Sequence, residues 1–202
     1  MMNEVLKRKL VENLKGLNLS IMASQLERQV KEAKENGTDY EEFLMNLTEV
    51  ELETRAVNRQ TRRLREAKFP LIKPLETFNV ELAEGLDKRV LKELIGGGYI
   101  KEKRNVILLG KSGTGKTHLA MGLGIKACQE NYKVRFVTGY GLVNELIEAR
   151  KEAEVSRILQ KYSNYEVLIL DELGYVPFSK EGSELLFQVL AERHERVSVI
   201  IT

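Results

Sequence analysis

Tryptophan is absent from this chain, cysteine occurs once, histidine twice and proline three times. A single cysteine, Cys128, excludes a disulfide framework, and its place in an apolar helical pattern points to a reducing compartment. His118 and His194 lie too far from any cysteine or second histidine to give zinc-ligand spacing. No stretch approaches the roughly 18 consecutive apolar residues of a membrane span. The amino-terminal MMNEVLKRKLVENLKG alternates charge with leucine and builds no apolar signal region. Neither sign of charge dominates, since 32 basic and 30 acidic residues leave a net +2. Attraction to nucleic acid therefore has to come from a local patch. What remains is an ordinary soluble composition, 43% hydrophobic over 202 residues. That gives room for one good core with a small accessory domain, and a cytoplasmic location is expected.

The chain changes texture along its length. Residues 1–67 hold no proline and read as helix, with breaks at KGLNLS and ENGTDY. Leu6, Leu10 and Leu14 recur every fourth residue, and Asp39 can cap a helix whose Phe43, Leu44, Leu47 and Val50 share a face. Residues 68–82, around KFPLIKPLETFN, carry two of the three prolines and read as a linker tied down by Leu71, Ile72, Leu75 and Phe78. Over 83–202 a helix from about Glu84 to Ile95 ends at GGG. Then NVILLG, KVRFVT, EVLILDE and VSVIIT alternate with helical stretches, the pattern of a parallel sheet covered by helices on both faces.

Between the first strand and its helix stands GKSGTGKT: Gly110, Lys111, Ser112, Gly113, Thr114, Gly115, Lys116 and Thr117. It satisfies G-x-x-x-x-G-K-[ST] in the strand–loop–helix setting that the chemistry needs. Glycines let the backbone N–H groups turn inward around a phosphate chain, and the helix adds the positive end of its dipole. Lys116 brings a point charge to the β- and γ-phosphates, and the Thr117 hydroxyl can ligate Mg2+. His118, one residue on in the first helical turn, belongs to the nucleotide-binding segment by position, with packing rather than catalysis as its reading.

VLILDEL delivers Asp171 and Glu172 to the carboxyl end of a strand, where open α/β sheets bind ligands. Asp171 suits a metal-associated carboxylate and Glu172 a group that orients or deprotonates attacking water. By themselves such residues also suit a solvated edge or a helix cap; beside a complete phosphate loop the catalytic reading is preferred. Arg55, Arg59, Arg62 and Arg63 fall at i, i+4, i+7 and i+8, one helical stripe. A solvated face, partnered by the acidic residues at 49, 51 and 53, is the usual explanation of such a stripe, and phosphate contact with DNA is the sharper, less favoured reading. Asn144 and Glu145 read as ordinary polar-face residues, and GYVPFSKEGSELLF starts as a loop that either connects or responds to nucleotide.

GKSGTGKTHLAMGLGIKAC, YKVRFVT and LILDELGYVPFSKEGSELLFQVLAERHERVSVIIT, in this order, resemble the IstB-like helper ATPases of bacterial insertion sequences. These are relatives of the DnaC and DnaI helicase loaders in the AAA+ class. The resemblance implies an AAA+-type P-loop sheet behind a helical amino-terminal domain, ATP and Mg2+ as ligands, and double-stranded DNA and a transposase as partners. Nucleotide-dependent self-association is implied too. Gly110–Thr117 carry over as the phosphate cradle, Asp171 as the metal-associated carboxylate and Glu172 as the hydrolytic glutamate; the arginine stripe gains weight as a DNA contact. Against the family pattern the chain is expected to lack the fifth strand, a later arginine finger, the lid, and a polar γ-phosphate contact one or two residues beyond Thr202. The expectation is truncation, an exposed apolar edge at NVILLG, and feeble hydrolysis. Competing readings are a replicative helicase loader, a nucleotide-binding module without catalysis, and a small-molecule kinase, the last disfavoured because nothing resembles an acceptor site.

Overall fold

The structure is a computed structural model that describes residues 4–80, 83, 85–174 and 177–202. Among the described residues no helix is long and apolar enough to cross a membrane. The chain divides into two compact units, Met1–Arg59 and Gln60–Thr202.

The first unit is helical: α1 (Glu4–Gly16), α2 (Ser20–Asn36) and the greater part of α3 (Tyr40–Ala67). Gly37, left-handed at φ 66°, ends α2, and the Asp39 carboxylate accepts the Glu42 amide at 2.8 Å to start α3. Its core is small: Leu14, Met22, Ala23, Leu26 and Leu47, with Phe43 half-buried beside them. Of the leucines spaced by four only Leu14 is buried, and Leu44 is exposed, so what α3 gives to this unit's apolar core is Leu47 with half-buried Phe43. Leu19 at the start of α2 gives no side-chain cap. Glu51 of α3 does so instead, accepting the Ile21 and Met22 amides at 2.9 and 2.8 Å while Arg55 Nε donates to it at 2.6 Å. Burial alone pushes the Glu51 carboxyl up, but the Met22 amide, Arg55 and the Ile21 amide outweigh it and hold the carboxyl below its ordinary range.

In the second unit the strands β1 (Val106–Ile107), β2 (Val134–Thr138), β3 (Val167–Asp171) and β4 (Ser198–Ile201) form one parallel sheet in the order β1-β4-β3-β2. Every residue of β3 is buried, as a central strand covered on both faces requires. One face is packed by α6 (Lys116–Gln129) with α4 (Lys88–Ile95) and α5 (Gly98–Lys101), through Leu91, Tyr99, Leu119 and Leu123. The other is packed by α7 (Gly139–Lys151), α8 (Val155–Ser163) and α9 (Lys180–Arg193), through Leu142, Leu146, Tyr162 and Val189. Arg193, 2% exposed, reaches under the sheet and donates to the carbonyls of Tyr162, Tyr165 and Ser198 at 2.6, 2.9 and 3.3 Å. Burial lowers its pKa to about 10.

Helix α4 begins at Lys88 because the Asp87 carboxylate caps the Arg89 amide at 2.7 Å. The expected start at Glu84 lies outside the described residues, as do 81 and 82 of the linker and 175–176 of the GYVPFSKEGSELLF loop. The division between units falls inside α3 rather than at residue 67, since Leu64 and Ala67 pack into the sheet core. Gln60 and Arg63 donate to the carbonyls of Gln129 and Asn131 at 3.0 and 3.1 Å, where α6 runs out of partners for its last carbonyls. The proline-bearing segment that follows is held by α6. A Cβ on Gly122 would stand 2.7 Å from Leu75 Cδ2, and one on Gly124 would stand 2.5 Å from Ile169 Cδ1 and 2.9 Å from Phe69 Cζ. Phe69, Leu75 and Phe78 therefore fasten the segment, whereas Leu71 and Ile72, also expected to do so, are more than 60% exposed.

Candidate nucleotide site

The carboxyl ends of β1, β3 and β4 converge on the start of α6. Beside the phosphate loop, on its β1 side, lies a cleft of about 390 Å3 lined by Phe78, Leu86, Ile107, Gly110, Lys116 and Leu119. Its size and its mix of apolar and polar groups suit a small-molecule site.

Residues 108–115 leave β1 and turn into α6. Gly113 and Gly115 take φ of 81° and 84°, a region closed to most side chains. At Gly115 a Cβ would also stand 3.0 Å from Phe78 Cε2. Gly115 is the N-cap of α6 and offers no side-chain oxygen, so the orphan N–H groups of the first turn stay open to an anion. Lys116 Nζ donates to the Gly110 and Lys111 carbonyls, each at 2.8 Å, which holds the ammonium over the loop it closes. Thr114 Oγ1 donates to the Lys111 carbonyl at 2.9 Å and stiffens the same turn.

Asp171 ends β3 opposite Thr138 of β2 and is 5% exposed. Its Oδ1 accepts the Thr117 hydroxyl at 2.8 Å and the Thr202 hydroxyl at 2.5 Å. Among the described residues it makes no ion pair. Glu172, the next residue, is exposed and sits at φ 58°, and its amide donates to Thr202 Oγ1 at 3.1 Å. Two hard oxygens, Thr117 Oγ1 and Asp171 Oδ1, thus lie side by side at the mouth of the phosphate loop, the donor chemistry that Mg2+ prefers. Of the residues expected around the loop and at the end of β3, Thr117 meets Asp171 and Lys116 closes on Gly110 and Lys111. His118 is not part of the cleft's lining: its Nε2 lies 3.1 Å from the Pro74 carbonyl and 3.3 Å from the Thr77 hydroxyl, and Phe78 meets its ring edge-on at 5.4 Å. It ties the preceding segment to α6.

The arginine stripe is not a uniform surface. Arg55 is bonded to Glu51 and to the Asn18 carbonyl, and Arg63, with 13% of its side chain exposed, is bonded to Asn131 and lies 3.5 Å from Glu66. Arg62 pairs loosely with Glu66 at 3.8 Å, and Arg59 makes no ion pair among the described residues. Thr202 and Phe78 escaped the sequence reading as site residues. A hydroxyl closing the strand beside VLILD was the available signal for the first, and an aromatic just upstream of a phosphate loop for the second.

Comparison with known proteins agrees with this geometry. The family model described as IstB-like ATP binding protein matches residues 12–202. A Pseudomonas aeruginosa protein named as the ATP-binding protein of insertion sequence IS21 is 36% identical over 94% of this chain and 71% of its own length. Its counterpart for IS5376 in Geobacillus stearothermophilus is 32% identical over 98% and 78%. Among solved structures, AMPPCP-bound DnaA from Aquifex aeolicus superposes with a TM-score of 0.55 at 22% identity, covering 64% of this chain and 41% of that one. The DnaC helicase loader gives 0.55 at 21%, covering 64% and 76%. At those identities the likeness is one of fold.

Proposed function

Because the chain belongs to the IstB-like ATP-binding protein family, we propose that it is an ATP-hydrolysing helper of DNA transposition that works in the cytoplasm with double-stranded DNA and a transposase. The observation that carries this reading is the 2.8 Å contact between Thr117 and Asp171 at the foot of the phosphate loop. A glycine-rich turn alone binds anions; a turn whose threonine meets a buried strand-end aspartate can hold the Mg2+ that travels with a triphosphate.

The residues divide the work. The loop amides and the α6 N-terminus receive the β- and γ-phosphates, and Lys116 exchanges its carbonyl partners for phosphate oxygens. Thr117 and Asp171 would hold Mg2+, which would supply charge neutralisation at the phosphates. Glu172 takes a proton from water as the water oxygen bonds to the γ-phosphorus. The bond from that phosphorus to the β-bridging oxygen breaks, and ADP and phosphate leave. Relatives named for insertion sequences support the transposition setting. Arg59 and Arg62, the least committed of the stripe, are the phosphate contacts we assign to DNA, with neighbouring copies of the chain assembling along it.

The test is steady-state ATP turnover with and without double-stranded DNA, with Glu172→Gln as the background. DNA-stimulated turnover lost in Glu172→Gln is the expected result. Turnover equal in the two proteins overturns the hydrolytic assignment, and turnover indifferent to DNA overturns the coupling.

A further inference from the structure

The Thr202 hydroxyl touches both halves of the acidic pair. It accepts the Glu172 amide at 3.1 Å and donates to Asp171 Oδ1 at 2.5 Å. Its main chain is fixed on either side of the same pair: the Thr202 amide donates to the Leu170 carbonyl and its carbonyl accepts the Leu173 amide, at 3.1 and 3.2 Å. The hydroxyl therefore has little freedom to choose other partners. Resting on the function proposed above, we propose that Thr202 is a positioning residue that sets the Asp171 carboxylate for Mg2+ and the Glu172 backbone for hydrolysis.

Two physical points lead there. Glu172 stands at φ 58°, where a side-chain-bearing residue persists only when its surroundings hold it. The Thr202 oxygen is the acceptor that fixes its amide in that conformation. The second point concerns Asp171. Its Oδ1 has two hydroxyl donors, and one of them, Thr117, is itself the expected metal ligand. A hydroxyl oxygen that ligates a cation keeps its proton for a neighbouring acceptor, so the Thr117 donation to Asp171 becomes tied to the metal's geometry. Thr202, which follows β4 and is not a ligand, is the donor on Asp171 that does not depend on the metal. Partners of this kind behind a metal ligand are worth about 10–100-fold in metal affinity.

The experiment titrates a fluorescent ATP analogue into wild type, Thr202→Val, Thr202→Ser and Lys116→Ala, in MgCl2 and in EDTA, and measures turnover in parallel. Thr202→Val preserves shape and deletes the hydroxyl, while Thr202→Ser keeps the hydroxyl. The expected result is unchanged affinity in EDTA, with the gain on adding Mg2+ reduced about tenfold or more in Thr202→Val and retained in Thr202→Ser. kcat should fall in Thr202→Val, and KM for Mg-ATP should rise with the lost Mg2+-dependent affinity. Should Thr202→Val not fold by circular dichroism, Thr202→Ala carries the same comparison with serine. A Thr202→Val protein that keeps the whole Mg2+ gain overturns the proposal alone. So does a serine variant as impaired as valine, or equal losses with and without Mg2+, which mark a merely structural residue. Wild type binding no better than Lys116→Ala overturns the underlying nucleotide assignment, a pattern distinct from the others.

Discussion

Two carboxylates in this chain are buried almost equally, Glu51 in the helical unit at 4% exposure and Asp171 in the sheet unit at 5%. Glu51 is wholly engaged: two backbone amides and an arginine occupy its oxygens, and it stitches α2 to α3 where five buried side chains make a thin core. Among the described residues Asp171 meets two hydroxyls and no counter-cation, and its unit's core is supplied by a sheet packed on both faces. Burial therefore does not separate a structural charge from a functional one. The partners do: fixed N–H groups and a counter-cation mark the first, and hydroxyls beside a phosphate loop mark the second.

The largest effect that would break this comparison lies at Glu172. Glu172→Gln should lower ATP turnover by about 10²–10⁴ while nucleotide binding stays intact, as measured by parallel turnover and titration. Next comes the sheet unit's packing. Gly124→Val forces a branched side chain between Ile169 and Phe69 and should cost about 2–3 kcal/mol in urea unfolding.

Glu51→Gln, which leaves amides and Arg55 without their anion, should cost the helical unit about 1.5–3 kcal/mol at pH 7. The Glu51 carboxyl is held below its ordinary 4.5 in the folded chain. Its contribution is therefore complete above that value and lost as pH falls through the lowered one. Wild type should lose stability on acidification in that window more steeply than Glu51→Gln, and parallel curves would remove Glu51 from its role. Smallest is Arg59→Ala. Stability should stay within about 0.5 kcal/mol, while the slope of DNA affinity against salt should fall by about one contact. Arg63→Ala should instead weaken the fold through Asn131, which a melting curve would reveal.

The sheet unit was the more legible of the two in the sequence because its signals are local. β-branched runs, GKSGTGKT and the acidic pair each lie within a few residues, and β2, β3, β4, α6 and α9 fall within a residue or two of expectation. The exceptions are β1, which spans two residues of NVILLG, α4, which starts at Lys88 behind its Asp87 cap, and Gly98, which opens a helical turn. Thr202 becomes part of the site only through its neighbour strand. In the helical unit the cap on α2 comes from thirty residues away, which no local pattern encodes. The arginine stripe was read as one surface from its spacing. Spacing fixes the face of a helix but not what lies opposite it, and two of the four arginines turned out to be tied within the chain.

The most direct measurement is calorimetric titration of Mg-ATP into wild type, Lys116→Ala and Asp171→Asn. A site built from the phosphate loop and a free buried carboxylate predicts wild-type binding that weakens roughly 100-fold or more without the lysine, and about tenfold or more without the aspartate charge. Equal affinities across the three proteins would contradict it and leave Asp171, like Glu51, a structural carboxylate.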